Sequence, residues 1–123
     1  MDGVINIFKN TGMTSFDVVR IIKKASNTKK VGHTGTLDPI ATGVLVVCIG
    51  NTTKLCELLT SEYKEYIATI KLGIKTDTLD ITGEVLDTKE VPRNIKLTET
   101  LNSFKKTYLQ EVPIYSAVKV NGK

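Results

Sequence analysis

A single carboxylate lies at the centre of the stretch in which this sequence concentrates small, backbone-shaping residues. Residues 32–45 read Gly-His-Thr-Gly-Thr-Leu-Asp-Pro-Ile-Ala-Thr-Gly-Val-Leu and contain the only histidine and three of the nine glycines. Pro39 disfavours the α conformation at Asp38, and Gly35 permits a close approach of the backbone, so local geometry aims this side chain. An aimed carboxylate can act as a nucleophile or as a general base, which makes Asp38 the candidate catalytic residue.

Three simpler interpretations of this stretch remain open. An Asp-Pro pair often only starts a turn in which the carboxylate bonds its own backbone, and for an unfamiliar sequence this interpretation ranks ahead of catalysis. A lone histidine such as His33 is more often structural than catalytic. A glycine-rich loop can also cradle a phosphate, but the spacings typical of phosphate-binding loops are absent.

A cluster of basic residues immediately precedes this stretch. Its members fall in one short segment without an acid: Arg20, Lys23, Lys24, Lys29 and Lys30. Such a cluster is either an ordinary solvated helix face or an electrostatic footprint for a polyanion such as nucleic acid.

Length and composition predict one small domain. The chain has 123 residues, of which 41% are hydrophobic. Its longest apolar run, residues 44–49, is too short to span a bilayer, and no charged-then-apolar leader opens the chain, so we expect a cytoplasmic protein without membrane partners. Cys48 and Cys56, with a single histidine, supply no zinc-type cluster and no disulfide framework; both are expected to be core thiols.

Hydrophobic periodicity predicts both strands and helices along the chain, as in a mixed α/β (α+β) fold. The first helix is capped by Thr14 or Ser15 and has its apolar positions at Phe16, Val19, Ile22 and Ala25. Residues 44–49 suit a strand in the middle of a sheet, covered on both faces. The other predicted strands are residues 4–8, 63–72, 84–90 and 113–120, and the other predicted helices begin near Asn51 or Thr52 and at Thr98, the latter presenting Leu97, Leu101, Phe104 and Tyr108 along one face.

The acids of residues 76–83 are better explained by turn formation than by a metal site, because the pattern of a calcium-binding loop is not matched. Asn121-Gly122 is a strong hairpin signal with no return strand after it. We therefore expect the chain to be the N-terminal piece of a longer protein.

Five motifs, in order along the chain, resemble those of the bacterial tRNA pseudouridine synthases of the TruB family. Besides residues 32–45, they are Lys9-Asn10-Thr11-Gly12-Met13-Thr14-Ser15, Lys64-Glu65-Tyr66, Thr76-Asp77-Thr78-Leu79-Asp80-Ile81-Thr82-Gly83 and Tyr115-Ser116-Ala117-Val118-Lys119. The chain departs from the family pattern at Asn10 and Val112, where prolines are usual.

The resemblance implies a pseudouridine synthase fold, in which helices flank a central mixed or antiparallel sheet. It also implies the isomerisation of uridine 55 in the T arm of tRNA, without cofactor or metal. It makes Asp38 catalytic, stacks Tyr66 on the target base with a further role in proton removal, and has His33 help to organise the flipped nucleotide. Thr34 is expected to bind the substrate RNA. Lys9 and Lys119 are expected to give support or RNA contact, and the basic cluster to bind RNA.

The resemblance also implies that residues 1–123 are the N-terminal part of a catalytic domain. The cationic partner of Asp38, further pocket residues and a C-terminal RNA-binding domain are expected beyond Lys123, so this piece alone is expected to be nearly inactive. The full-length protein is not expected to form oligomers.

Two alternatives to this function are kept. One is a non-catalytic RNA-binding or RNA-chaperone module that uses the basic helix and loop. The other, a guide-RNA-dependent relative, is disfavoured by the bacterial-style Ala41-Thr42-Gly43-Val44-Leu45.

Overall fold

The computed structural model describes residues 1–60, 63–104 and 109. It divides the chain into two compact units, Met1–Tyr66 and Ile67–Lys123, which are described separately below. In the described part of the chain, no helix is both long enough and apolar enough to cross a membrane.

A three-stranded antiparallel sheet forms the centre of the first unit. Its strands are β1, Gly3–Lys9, β2, Val31–His33, and β3, Gly43–Ile49, in the order β1-β3-β2. The predicted strand at 4–8 and the central position of 44–49 are confirmed, as is the mixed fold with an antiparallel sheet. Strand β2 was not predicted; it begins just ahead of the Asp38 stretch and takes in its first residues.

One face of the sheet carries the hydrophobic core. Leu45, Val47 and Ile49 of β3 are buried on this face together with Val18 of the first helix. The opposite face is covered at Cys48 but not at Val44, which is exposed. The prediction that β3 is covered on both faces is therefore wrong at the start of the strand, because the described elements cover the second face only near Cys48.

The first helix, α1, spans Ser15–Ser26 and covers the core face of the sheet. Thr14 and Asp17 form a capping box, in which each side chain accepts a hydrogen bond from the other residue's backbone N–H. Asn27 ends the helix in the left-handed conformation. The predicted start and cap of this helix are confirmed.

The predicted apolar face of α1 is displaced by one residue. Ser15, Val18 and Val19 are buried, whereas Phe16 is 59% exposed and Ala25 is exposed. Successive residues lie about 100° apart around a helix, so burial of Ser15 turns Phe16 toward solvent. The positions of the apolar residues do not predict this orientation of the helix, because Ser15, the buried residue that sets it, is polar.

The segment after β3 forms a 3₁₀ helix, Gly50–Leu55, followed by α2, Cys56–Thr60. A helix was predicted here with Asn51 or Thr52 as its cap. The hydroxyl of Thr52 accepts a hydrogen bond from the backbone N–H of Ile49 at 3.1 Å and donates to the carbonyl of Gly3 at 2.7 Å. This residue therefore ties the start of the helical segment to β1.

In its described residues, the second unit contains a β-hairpin and one short helix. Strands β4, Ile74–Thr76, and β5, Val85–Thr88, pair antiparallel, and α3 spans Leu97–Ser103. The predicted strand at 84–90 is confirmed in its centre, and the predicted third helix is confirmed near its expected start. Tyr108, the predicted strand at 113–120 and the turn at 121–122 lie outside the described residues.

The predicted strand at 63–72 is wrong. The structure gives these residues neither helix nor strand, and their large apolar side chains, among them Ile67 and Ile70, are exposed. Strand formation depends on a neighbouring strand that supplies hydrogen bonds and packing, and no described strand pairs with this segment.

Hydrogen bonds to two aspartates organise the loop between β4 and β5. The Asp80 carboxylate accepts from the backbone N–H and hydroxyl of Thr82 and from the hydroxyl of Thr78. The Asp77 carboxylate accepts from the N–H of Glu84 at 2.8 Å. These acids build the turn, as the sequence indicated.

Candidate active site around Asp38

The candidate catalytic residue lies in the connection between β2 and β3. The backbone N–H of Thr34 donates to the carbonyl of Val46 at 3.0 Å and so continues the strand pairing for one residue. Thr34 is buried, whereas Asp38, Pro39 and Ile40 are exposed. The loop therefore leaves the sheet from a fixed, buried position and presents Asp38 at the surface.

The entry to α1 holds this loop on the N-terminal side of Asp38. The Ser15 hydroxyl accepts from the backbone N–H of Leu37 at 2.9 Å and lies 3.3 Å from the carbonyl of the same residue, to which it can donate. Ser15 is almost fully buried, so water does not compete with this contact. The residue before Asp38 is thereby fixed to the first turn of the helix.

A second anchor holds the loop on the C-terminal side of Asp38. The backbone N–H of Gly12 donates to the carbonyl of Pro39 at 2.8 Å. Gly12 has a φ of +81°, a conformation that costs glycine little and other residues more. Asp38 thus lies between two neighbours whose backbones are both bonded to the segment that precedes and starts α1.

The Asp-Pro turn exists, but the carboxylate does not close it. The backbone N–H of Ala41 donates to the main-chain carbonyl of Asp38 at 3.0 Å. Among residues 1–60, 63–104 and 109, no group hydrogen-bonds or ion-pairs with the Asp38 carboxylate. The turn and the catalytic interpretations are therefore compatible, because the backbone makes the turn and leaves the side chain to other partners.

Lys9 supports the turn that carries the second anchor. Its side chain is fully buried, and its Nζ donates to the carbonyls of Asn10 at 2.9 Å and Met13 at 2.8 Å. A buried ammonium group is stable only when polar groups replace its water, as these two carbonyls do. Of the two roles expected for Lys9, support matches this position.

His33 occupies the last position of β2, opposite Val47 on the core side of the sheet. It is half-buried, and its Nδ1 is a buried atom without a hydrogen-bond partner among the described residues. An unpaired buried polar atom lowers stability by about 1–3 kcal/mol, so a hydrogen-bond partner for this nitrogen would be stabilising.

Tyr66 lies in the segment of the first unit that has no helix or strand, and it is exposed. In the described residues, no hydrogen bond or ring contact joins it to His33 or Asp38. Its neighbour Lys64 passes close to the loop, since a side-chain carbon lies 3.9 Å from the position that a Cβ on Gly35 would take. The structure therefore places His33 and Thr34 at the start of the Asp38 loop and Lys9 at the turn that anchors it, whereas it joins Tyr66 to none of them within the described residues; Lys119 lies outside those residues.

The basic cluster lies on α1 and on the turn after it. Arg20 is ion-paired with Asp17, and the Nζ of Lys23 lies 5.7 Å from the centre of the Phe16 ring. Hydrogen bonds from Thr14, and then the Arg20 side chain, lower the pKa of Asp17. The remaining cations, Lys24, Lys29 and Lys30, are exposed.

Sequence reasoning missed Ser15 and Gly12 as positioning residues. The signal for Gly12 was its place in a turn, but a turn alone does not reveal which distant carbonyl its N–H will meet. Ser15 was considered only as a cap, and its true contact is 22 residues away along the chain.

The structure thus defines a protein of mixed α/β fold. Its candidate active site is an exposed carboxylate whose two neighbours in the chain are anchored by backbone hydrogen bonds. The family described as "TruB family pseudouridylate synthase (N terminal domain)" matches residues 23–123. The chain belongs to this family.

Proteins named tRNA pseudouridine synthase B are similar over the whole chain. The protein of Clostridium tetani is 52% identical over 99% of this chain and 43% of its own length. The protein of Clostridium novyi is 53% identical over 100% of this chain and 43% of its own length. The chain therefore spans less than half of the length of these curated relatives.

One solved structure, titled "Structure of H/ACA RNP bound to a substrate RNA containing 2'-deoxyuridine", aligns with a TM-score of 0.44 at 48% identity. The alignment covers 46% of this chain and 18% of that chain. A match this partial adds nothing to the family assignment.

Proposed function

We propose that this chain is the part of a tRNA pseudouridine synthase that carries the catalytic carboxylate, Asp38, and that the whole protein isomerises uridine 55 in the T arm of tRNA. The observation that supports this most is the pair of backbone anchors on Leu37 and Pro39, which hold an exposed carboxylate without using its oxygens. The reaction itself is inferred from family membership and from the names of the relatives.

The reaction suits a lone carboxylate. Uridine becomes pseudouridine when the bond between N1 of uracil and C1′ of ribose breaks and a bond between C5 and C1′ forms. C5 loses a proton and N1 gains one, so no atoms or electrons are exchanged overall. Asp38 acts on the sugar, either as a nucleophile that bonds to C1′ and is displaced when C5 attacks, or as a base that removes a sugar proton on the way to a glycal.

The target nucleotide must leave its stack before Asp38 can reach the sugar. Tyr66 supplies an exposed aromatic ring on which the extruded uracil stacks. His33 and Thr34, at the start of the loop, help to organise the flipped nucleotide.

RNA phosphates bind the basic cluster on α1 and the turn that follows it. Lys9 keeps the Asp38 loop in place through the turn at residues 10–13, and Lys119 adds an RNA contact. The partner is tRNA, and the protein works in the cytoplasm as a monomer without cofactor.

Residues 1–123 form the N-terminal part of the catalytic domain in this proposal. The relatives are more than twice as long as the matched region. A carboxylate needs the charges and the walls around its substrate as well as its own position, so the remaining groups of the pocket come from the rest of the protein.

The proposal is tested with Asp38→Asn in the full-length protein and tRNA carrying tritium at C5 of uridine. Tritium enters water only when C5 loses its hydrogen, so its release reports the isomerisation directly. We expect the rate to fall at least about 1,000-fold, the scale seen when a catalytic nucleophile is removed, with tRNA affinity unchanged.

Asp87→Asn is the matched control, because it removes an exposed aspartate from β5 in the other unit. It should release tritium at the wild-type rate. Unchanged turnover in Asp38→Asn would refute the assignment of Asp38, and RNA binding without any turnover in the wild type would favour the RNA-binding module instead.

A further inference from the structure

An exposed aromatic ring on α1 lies beside one cation and on the same helix as two others. Phe16 is 59% exposed, although it is the largest apolar residue of the helix, and the small polar Ser15 takes the buried position beside it. Phe16, Arg20 and Lys23 are spaced by four and three residues and so share one face of the helix. This outward face, defined by these three residues, is called the Phe16 face below.

The ring of Phe16 is already in contact with one of these cations. The Nζ of Lys23 lies 5.7 Å from the ring centre, within the range of a cation–π interaction. Arg20 is fixed by its ion pair with Asp17, which leaves one carboxylate among the cations of this helix. Lys24 on the next turn, and Lys29 and Lys30 beyond the helix, add exposed positive charge.

The Phe16 face lies next to the catalytic loop. Ser15 is hydrogen-bonded to Leu37, so Phe16 and Asp38 are each one residue away from the same contact. Because consecutive Cα atoms are about 3.8 Å apart, the Cα atoms of Phe16 and Asp38 lie less than about 15 Å from each other. One short RNA segment can therefore touch both.

We propose that the Phe16 face binds a second nucleobase of the substrate RNA, one that flanks the target uridine, by stacking it on Phe16 while Arg20, Lys23 and Lys24 contact the adjoining phosphates. A flat ring beside cations is the combination that proteins use to bind unpaired nucleotides. This inference rests on the proposed function for the identity of the RNA. It differs from that function because the base on Phe16 does not react.

The first test measures binding of a T-arm stem-loop RNA to the full-length protein by fluorescence anisotropy. Phe16→Ala should weaken binding on the order of 10-fold, within the range for loss of one base–aromatic stack. Phe16→Trp should restore it, whereas Phe16→Leu, which keeps an apolar side chain without a ring, should not.

Ile21→Ala is the control for general damage to the helix. Ile21 lies on α1 with nearly the same exposure, 57%, and lines a surface groove with Arg20 and Lys24, but it is about 140° around the helix from Phe16. Its replacement should leave RNA affinity unchanged. Equal affinity of Phe16→Ala and the wild type would overturn the proposal, and so would equal weakening by Phe16→Ala and Ile21→Ala.

A cross-link identifies the contact directly. RNA with 5-iodouridine at one position at a time next to the target should cross-link to Phe16 on irradiation, and the site is read by mass spectrometry of the digested adduct. Cross-links only to residues outside α1 would contradict the proposal.

Tritium release separates this inference from the proposed function. Phe16→Ala should raise KM by about the same factor as the loss of affinity and leave kcat nearly unchanged, unlike Asp38→Asn. If the wild type shows no turnover but its RNA binding still depends on Phe16, the proposed reaction fails and the stacking site stands. If turnover depends on Asp38 while neither KM nor affinity depends on Phe16, the stacking site fails alone.

Discussion

The two units of the chain differ in what holds them together. In Met1–Tyr66, apolar side chains from three strands and a helix are buried against one another. Among residues 67–104 no residue is buried, and the loop between β4 and β5 is ordered by hydrogen bonds to Asp77 and Asp80. The candidate active site lies on the unit that has a core, and a reacting group needs such a rigid support.

The comparison shows that an apolar sequence pattern becomes buried structure only when a partner surface is present. Ile5 and Ile7, at alternating positions of β1, are partly buried because they pack against the core formed by Val18 and β3. Alternating residues at 63–72 follow the same pattern and stay exposed. Periodicity thus identifies the residues that can be buried, and the rest of the fold decides which of them are.

The largest expected difference between the units is in the stability lost when one leucine of each is replaced. Leu45 is 2% exposed and Leu86 is 63% exposed. Leu45→Ala should lower the free energy of unfolding by about 2–5 kcal/mol, because it removes core contacts and leaves a cavity. Leu86→Ala should change it by less than about 0.5 kcal/mol. Urea denaturation followed by circular dichroism measures both, and equal losses would remove the distinction between the units.

Replacing a lysine should also destabilise the first unit more than the second. Lys9→Met leaves the carbonyls of Asn10 and Met13 without their buried donor and should cost about 1–3 kcal/mol. Lys75→Met removes an exposed lysine from β4 and should cost almost nothing. Thermal unfolding of the two variants provides the comparison. A stable Lys9→Met protein would show that the turn at residues 10–13 holds without the ammonium group.

A smaller effect on stability is expected at the anchor of the Asp38 loop. Ser15→Ala removes the hydroxyl that bonds the backbone of Leu37 and should cost about 1–2 kcal/mol. In the full-length enzyme it should also slow tritium release by about 10-fold, because Asp38 loses one of its two supports. Ser103→Ala, which removes an exposed hydroxyl from α3, is the control. Slower turnover in both variants would argue against a specific role for the anchor.

The smallest expected effect is a local response of the second unit to acid. Hydrogen bonds from Thr82, and then from Thr78, lower the pKa of Asp80. A carboxylate with a lowered pKa stabilises the folded loop above its usual titration range, and this contribution is lost as the pH falls through the lowered value. The amide resonances of Thr82 and Glu84 should therefore shift at acidic pH, while those of Val47 in the core should not. Asp80→Asn should abolish the acid-dependent shift of Thr82.

The sequence was sufficient to predict several elements of the fold. The capped start of α1, the central position of β3 and the turn built by Asp77 and Asp80 all follow from local preferences. These features depend on residues within a few positions of one another, which is the range over which capping, turn chemistry and periodicity act.

The features that the sequence did not predict depend on distant contacts. Strand β2 has three residues and no periodicity of its own; its pairing with β3 defines it. The phase of α1 is set by the contact between Ser15 and Leu37. Asp38 could be identified as the candidate from its neighbours, but its two anchors could not, since each joins positions more than 20 residues apart.

Both anchors of the Asp38 loop end on main-chain atoms, the N–H and carbonyl of Leu37 and the carbonyl of Pro39. Every amino acid provides a main-chain carbonyl, so these attachments make little demand on side chains nearby. Thr36 and Ile40, which are exposed, can therefore be exchanged for other residues without moving the carboxylate. The loop can in this way tolerate sequence change while Asp38 keeps its position.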